Sequence, residues 1–499
     1  MKKKYLSLLL FVGCLYACSS DSPEPPAPHP DEEEKDPKPD PEERPEPEKP
    51  VTAYVFPQDF SDDLLGKEVT IKNDLVVVRT YGDKLEGNVT LASSLLRIPT
   101  EVEQPGSEEY RKLMEANQLS KLTLAPSGIT LLDPAYQTLR VGTKLSKVKG
   151  KVSKDKNHYL LTLTESPQFD HVKRPTFVEE QTRNIQGKYV NSSVLKYTED
   201  IAARNSELSV VSMNLEYYMA SPSMWGHSNG ARDKDAFNRQ NQKIIAAMKE
   251  MKADIFAICE IEEGNYSPAY LTEQLNQALG TTAYKYIDTG DDKITSYTKN
   301  TFIYNSEAVK PYKDCKHYDA DYLQLRHIIQ CFEQNNSGER FILSLNHFKA
   351  KSGKASGHNV DQHDGQGAFN ARRVEEATNC LTTLQTLQEY YGDTDLMVVG
   401  DLNSYSKEDP IRVFTDGGFV DELMKYASES WSYVYDGQVG YLDHILCSPS
   451  MSKQVLKAFT WDVNASEPSA LGYEIINNFV PNAYRYSDHN PVIAVIDLK

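Results

Sequence analysis

Between Val210 and Ile496 one construction recurs: a short, nearly unbroken apolar run that ends or begins abruptly in acids, amides or imidazoles. It appears as VVSMNLEYY, IFAICEIEE, FILSLNHFKAK, LMVVGDLNSYSKEDP, GYLDHILCSP and YRYSDHNPVIAVI. Runs of this length and continuity are strands that lie inside a layered core, so the polar groups at their ends are what the chain delivers to its surface. The stretch from Leu396 to Pro410 is the clearest case. After the apolar Leu396 to Val399, Gly400 lets the backbone pass closely, and Asp401 and Asn403 follow two residues apart, on one side of an extended chain. A charged acceptor beside a carboxamide suits the holding of a phosphate oxygen and a water; an Asx turn that merely stops a strand is the plainer alternative.

Taken together and in this order, the six segments resemble the endonuclease/exonuclease/phosphatase superfamily, which includes DNase I-like nucleases and phosphatases. Closer still, three stretches, DQHDGQGAFNARR, GDLNSYSKEDPI and YDGQVGYLDHIL, look like signatures of the ExeM/NucH type of secreted bacterial endonuclease. The resemblance covers residues 205 to 499 and implies an α/β fold, a four-layer α/β sandwich with its active-site loops at one end of two packed sheets. Two departures stand out: Phe369 where the type has Trp, and His363 where it more often has Gly.

The remaining chain is organised differently. Residues 1–18 run from a basic start through an apolar stretch of about a dozen residues, short of the twenty or so that span a bilayer, to Cys18. This is the pattern of a lipoprotein signal, so Cys18 is expected to be lipidated and the protein anchored in the bacterial envelope, at the outer membrane, facing outward or the periplasm. Residues 19–50 are rich in Pro and Glu and form a disordered tether. Twelve acids against four bases make that tether responsible for about −8 of the formal charge of −18. The folded part stays acidic, which excludes a protein that coats DNA by broad attraction; contact with nucleic acid must come from local basic groups and bound cations.

Residues 51–185 hold short strands broken by Gly, Pro, Asn and Asp, as in an OB-like β-barrel, and similarity to the ExeM/NucH type supports that assignment. There Lys147, Lys149 and Lys151 alternate along one strand. They read either as a surface that tracks a nucleic-acid backbone or as protection of an exposed sheet edge. From 190 to 499 strands alternate with helices, with apolar positions at helical spacing over Arg239 to Lys252 and Phe369 to Tyr391. Of the seven cysteines, Cys259 and Cys447 sit within apolar runs, and Cys315 and Cys331 form a disulfide only if strand geometry brings them together.

Phosphodiester hydrolysis needs relief of negative charge. Glu260 closes the run IFAIC, where a buried carboxylate calls for a counter-ion; Mg²⁺ is the first expectation, Mn²⁺ or Ca²⁺ the alternatives. Asn214 is placed to share that ion, Glu262 to support it from two residues on. The resemblance adds Asp488 as a further metal contact, His489 as a proton carrier oriented by Asp443, and His347 as a contact to the scissile phosphate. Asp401 or His489 serves as the base, and Asn403 holds the phosphate. The resemblance also implies Arg326, Lys349, Asn370 and Arg373 as substrate contacts, Arg326 foremost because a guanidinium grips two oxygens. These residues describe a metal-dependent endonuclease acting on extracellular DNA, or on RNA as second choice, with no obligate protein partner evident. A phosphatase or phosphodiesterase acting on phospholipid or small phosphates, and a non-catalytic nucleic-acid-binding lipoprotein, are the alternatives.

Overall fold

The computed structural model describes residues 53–81, 88–129, 139–170, 172–182, 207–226, 229–289, 297–318, 326–474 and 479–499. The expected lipidation signal, the acidic tether and the connector from Tyr189 to Ser206 lie outside the described residues. Among the described residues no helix is long and apolar enough to cross a membrane.

The apolar runs become two six-stranded sheets stacked face to face. One is ordered Tyr284–Tyr286, Thr298–Asn305, Ile255–Glu262, Glu207–Tyr218, Val492–Asp497, Val455–Thr460; the other Val309–His317, His327–Gln334, Arg340–His347, Leu396–Asp401, Asp443–Cys447, Val420–Asp421. Their continuity has a simple cause: both faces of the central strands are covered. Met397 and Val399 point into the core between the sheets, while Leu396 and Val398 point into a second core beneath the helix Asn370–Tyr391. Val210 and Val211 split in the same way, Val211 joining a third core under the helix Lys234–Met251. The result is helix, sheet, sheet, helix, the DNase I-like sandwich that the sequence led us to expect. Both anticipated helices form. The first is capped by Asp233, whose carboxylate accepts from the Ala236 amide (2.8 Å), and the second ends at Gly392 in the left-handed conformation.

The N-terminal strands form a separate sheet domain with its own core of sixteen buried apolar residues, Phe56 to Leu163. Its nine strands are ordered Ala53–Tyr54, Glu68–Ile71, Lys149–Asp155, His158–Leu163, Leu122–Ala125, Asn88–Ala92, Leu75–Tyr81, Lys144–Ser146, Gln168–Asp170. The consecutive strands Glu68–Ile71 and Leu75–Tyr81 pair far apart in that order, so the sheet bends back around this core. The lysine strand is not an edge: Lys149–Asp155 is paired on both sides, which removes edge protection as its explanation. Lys147 precedes it in a left-handed conformation, outside the alternation, and Lys149 lies 3.9 and 4.0 Å from Glu68 and Glu165.

An arm of this domain, Leu96 to Leu119, leaves the sheet and lies against the sandwich. Strand Leu96–Arg97 pairs in parallel with Gln438–Gly440, and a short helix Pro99–Val102 and a longer one, Glu108–Leu119, follow. Cys315 and Cys331 are on paired strands but out of register, with Tyr312 opposite Cys331, and both are free thiols.

Candidate active site

Strand register gathers the polar ends. His347 is directly opposite Asp401, and Asp401 opposite Asp443, on three neighbouring strands, so all three side chains rise from one level of one sheet. The facing sheet contributes Asn214 and Glu260, and there the register shifts, with Glu216, Tyr217 and Glu260 at positive φ. Such bulges re-aim side chains at a sheet end. One consequence corrects the sequence reading of Glu262. Because the bulge interrupts the alternation at Glu260, Glu262 faces elsewhere, accepting from the Ser267 hydroxyl (2.5 Å) and the Ser221 amide (3.0 Å) as a structural acceptor.

Asp401, 2% exposed, is the hub. Asn214 Nδ2 stands 3.2 Å from Asp401 Oδ2 and 3.2 Å from Glu260 Oε1, bridging the two carboxylates across the sheets. His347 Nε2 is 3.7 Å from each of them, and His489 Nε2 is 3.8 Å from Asp401. Those gaps exceed a direct hydrogen bond and match the reach of one shared oxygen, from water or substrate. His489 Nδ1 lies 2.8 Å from Asp443 Oδ2, which fixes the ring, and the Tyr433 ring packs on it at 4.7 Å between centroids. Asn403, also at positive φ, donates its amide to the Phe348 carbonyl (3.0 Å), and its backbone N–H is held by Asp401 Oδ1 (2.9 Å).

Electrostatics differentiates the two histidines. Burial disfavours charge on His489, but Asp443, Asp401 and Asp488 outweigh it and hold its pKa well above the usual value. Burial, followed by Arg326 and His489, pushes His347 well below, so it is a neutral imidazole. Burial also raises Asp401, to about 7, with Asp443 and Glu260 adding to the rise and His489 opposing it. A neutral imidazole such as that of His347 can meet an anion only by hydrogen bonding, and the protonated ring beside the hub belongs to His489.

Glu260 is raised by burial and by Asp488, and Glu216 is raised to about 8 by burial and by Asp488. Carboxylates that mutually oppose ionisation make a hard oxygen donor set of the kind a divalent cation takes, while Asn214 Nδ2 bridges them and its Oδ1 accepts from the Glu216 N–H (2.9 Å). Donor atoms of Glu260, His347 and Asp401 lie within 4.8 Å of one another, close enough to share one ion. The residues present therefore fit such an ion. Sequence reasoning missed Glu216, although it follows Asn214 at the two-residue spacing that linked Asp401 to Asn403. It also missed Tyr433, which no local pattern marks.

The four expected substrate contacts divide. Arg326 belongs at the centre: its charge acts on His347, Glu260 and Tyr217, it donates to Thr298 Oγ1 (3.2 Å), and no partner among the described residues takes its buried Nε. Lys349 is half-buried, its ammonium 4.4 Å from the centre of the Phe369 ring, so the Phe at that position still holds a cation by its π face. Arg373 and Asn370 are corrected. Arg373 is fully buried and donates to the carbonyls of Lys349, Ala368 and Gln366, while Asn370 donates to Asp409 (3.0 Å). Both brace the loop and neither is placed to meet a phosphate.

That loop, with its DGQG sequence, seats the arm of the N-terminal domain. Gly106 N–H donates to the Asp364 carbonyl (3.0 Å), and a Cβ on Gly365 would stand 2.6 Å from Thr100 Cγ2. Next to it Glu101 is 1% exposed and accepts from the Ser406 hydroxyl (2.8 Å). Burial pushes Glu101 up to about 7 against Ser406, Arg97 and His444. The folded chain thus binds this proton more tightly than the unfolded chain, and the group lowers stability as pH rises from 4.5 to about 7. A shift of that size corresponds to about 3 kcal/mol. Glu101→Gln is expected to gain on the parent chain through that window and keep a constant advantage above it. Urea unfolding of both chains across the pH range checks this; a difference that ignores pH would refute it.

Among known proteins, the model of the "Endonuclease/Exonuclease/phosphatase family" matches residues 224–489. No curated protein matches the sequence. Solved structures that align include an endonuclease/exonuclease/phosphatase from Bacteroides vulgatus (16% identity, 59% of this chain and 99% of that one, TM-score 0.40). A mannosyl-6-phosphatase from Bacteroides thetaiotaomicron aligns at 18% identity over 58% of this chain and 99% of its own, TM-score 0.40. The human Nocturnin catalytic domain with bound sulfate aligns at 14% identity over 59% and 95%, TM-score 0.39.

Proposed function

The chain belongs to the endonuclease/exonuclease/phosphatase family, whose members are phosphoester hydrolases generally dependent on a divalent metal, and from that premise we propose a metal-dependent phosphodiesterase that cuts nucleic acid, DNA first. The observation that carries the reading is the convergence of Asn214, Glu260, His347 and His489 on Asp401. Glu260 is the centre of the set that would hold the cation, with Glu216 and Asp488 beside it, Asp401 and His347 within reach of the same ion, and Asn214 bridging Glu260 and Asp401; Mg²⁺ is the expected ion. When bound, it supplies charge neutralisation to the phosphoryl oxygens. The rest is the work of side chains. Arg326 and Lys349 balance the phosphate charge, and neutral His347 orients it by a hydrogen bond. His489, locked at Nδ1 by Asp443, presents a protonated Nε2 toward the reacting group. Asp401, ionising close to neutral pH, orients the attacking water and takes its proton.

Nucleic acid as the substrate rests on the likeness to the ExeM/NucH type. The acidic balance of −18 is the observation that favours the second reading, a phosphatase of a small phosphate, because it gives a polyanion no general attraction. Anchoring through lipidated Cys18 to the outer membrane belongs to the same proposal and would place the activity outside the inner membrane. Supercoiled plasmid incubated with the protein and Mg²⁺ is expected to be nicked and then degraded, and EDTA to stop the reaction. Intact plasmid alongside release of phosphate from a sugar phosphate would replace the first reading by the second.

A further inference from the structure

Among the described residues, three of the contacts between the N-terminal domain and the sandwich fall on segments that bear or hold a reacting group. Its arm strand Leu96–Arg97 extends the hairpin Tyr433–Gly440, and Asn117 clamps the junction by donating to the Arg97 carbonyl (2.8 Å) and Gln438 Oε1 (2.7 Å). The outer strand of that hairpin carries Tyr433, packed on His489. Beside it, Thr100 Oγ1 donates to Glu408 Oε1 (2.8 Å), the Lys407 N–H donates to the Thr100 carbonyl (3.0 Å), and the Ser406 hydroxyl donates to Glu101. Residues 406–408 continue the loop of Asp401 and Asn403, and Glu408 in turn binds Lys351, four residues beyond His347.

The third contact comes from the body of the domain. Arg140, nearly enclosed, pairs with Asp462 (2.8 Å) and Glu467 (2.9 Å). Asp462 accepts from Asn490 Nδ2 (3.0 Å), and Asn490 Oδ1 gathers the N–H groups of Val463, Asn464 and Ala465. Asn464 closes the circuit by donating to the carbonyl of His489 (2.6 Å). A module that only collects substrate, or a spacer above a membrane, needs none of these buried contacts to the loops of the catalytic part.

We propose that the N-terminal domain is a positioning element of the active site: Thr100, Glu101 and Arg140 set the loops that bear Asp401, Asn403 and His489, and residues 207–499 are catalytically incomplete without them. The inference rests on the phosphodiesterase reading for its kinetic consequence and on geometry alone for its structural one. A positioning defect lowers kcat, because small misplacements of reacting groups slow chemistry, and leaves KM in place. Loss of a substrate-collecting surface does the opposite.

The test uses the full chain carrying Thr100→Val with Glu101→Gln, both close in shape to the parent residues, and Thr100→Val alone in case the pair lowers the melting point to the assay temperature. Amide exchange over residues 401–409 is expected to quicken. On plasmid with Mg²⁺, kcat should fall roughly 10- to 100-fold at unchanged KM. Lys72→Ser, exposed on the same domain and outside these contacts, should change neither. Unchanged exchange in the Thr100 variants, or in them a rise in KM with kcat intact, overturns the proposal. A wild-type chain that hydrolyses no phosphoester would end the functional reading above, and the exchange measurement would still decide this one.

Discussion

His489→Ala is expected to lower kcat by about 10²- to 10⁴-fold at nearly constant KM, the usual range for loss of a positioned proton donor. The side chain meets all the requirements for that role. Its Nδ1 is fixed by Asp443, its Nε2 stands 3.8 Å from Asp401, and three carboxylates keep it charged against the opposing effect of burial. Removing the imidazole also leaves Asp443, 1% exposed, without that partner, so the variant should melt lower as well. Kinetics must therefore be read well below its transition. Asp443→Asn gives the matching result by another route: it keeps the shape and removes the charge that holds the Nδ1 proton. Its rate should fall on the same scale, and the acid-to-neutral inflection of the pH profile should move. Undiminished plasmid cleavage by His489→Ala would remove His489 from the mechanism.

Gly400→Ala should cost roughly 3 kcal/mol or more in stability and abolish hydrolysis with it. Gly400 has φ of +125°, outside what an L side chain ordinarily adopts, and an added Cβ would overlap the carbonyl of Asn346 on the neighbouring strand. Both effects act on backbone in the middle of a sheet, where no flexible side chain can yield. Since Asn346 is paired with Gly400 and His347 with Asp401, any separation of these strands moves two site residues apart. Urea unfolding measures the first effect and plasmid nicking the second. A variant within about 1 kcal/mol of the parent would show that the close approach is not required.

Much of the sandwich was legible because burial on both faces leaves a visible trace. A strand such as Leu396–Asp401 must be apolar throughout, so its last polar residue announces the end of the sheet. That is why Asp401, His347, Asn214 and Glu260 could be singled out, and why the helices were legible from their apolar spacing. Arg373 and Asn370 misled for a related reason. A signature tells that residues are needed together, but a guanidinium that binds three carbonyls and one that binds a phosphate look alike in one dimension. Glu262 misled because the alternation of a strand holds only while the strand stays regular, and the bulge at Glu260 is a backbone event without a glycine to mark it.

By itself, the order of residues determined which groups can ionise, which strands are buried on both sides, and hence the kind of chemistry the sheet ends can support. Tertiary structure alone decided that Asn214 bridges carboxylates from two sheets, that one histidine is charged and its neighbour neutral, and that Tyr433 and an arm from 300 residues upstream brace the same ring and loops. The physical reason is common to all three. Burial, field and contact depend on distance in space, and strand register and domain docking bring together residues whose separation along the chain carries no record of that meeting.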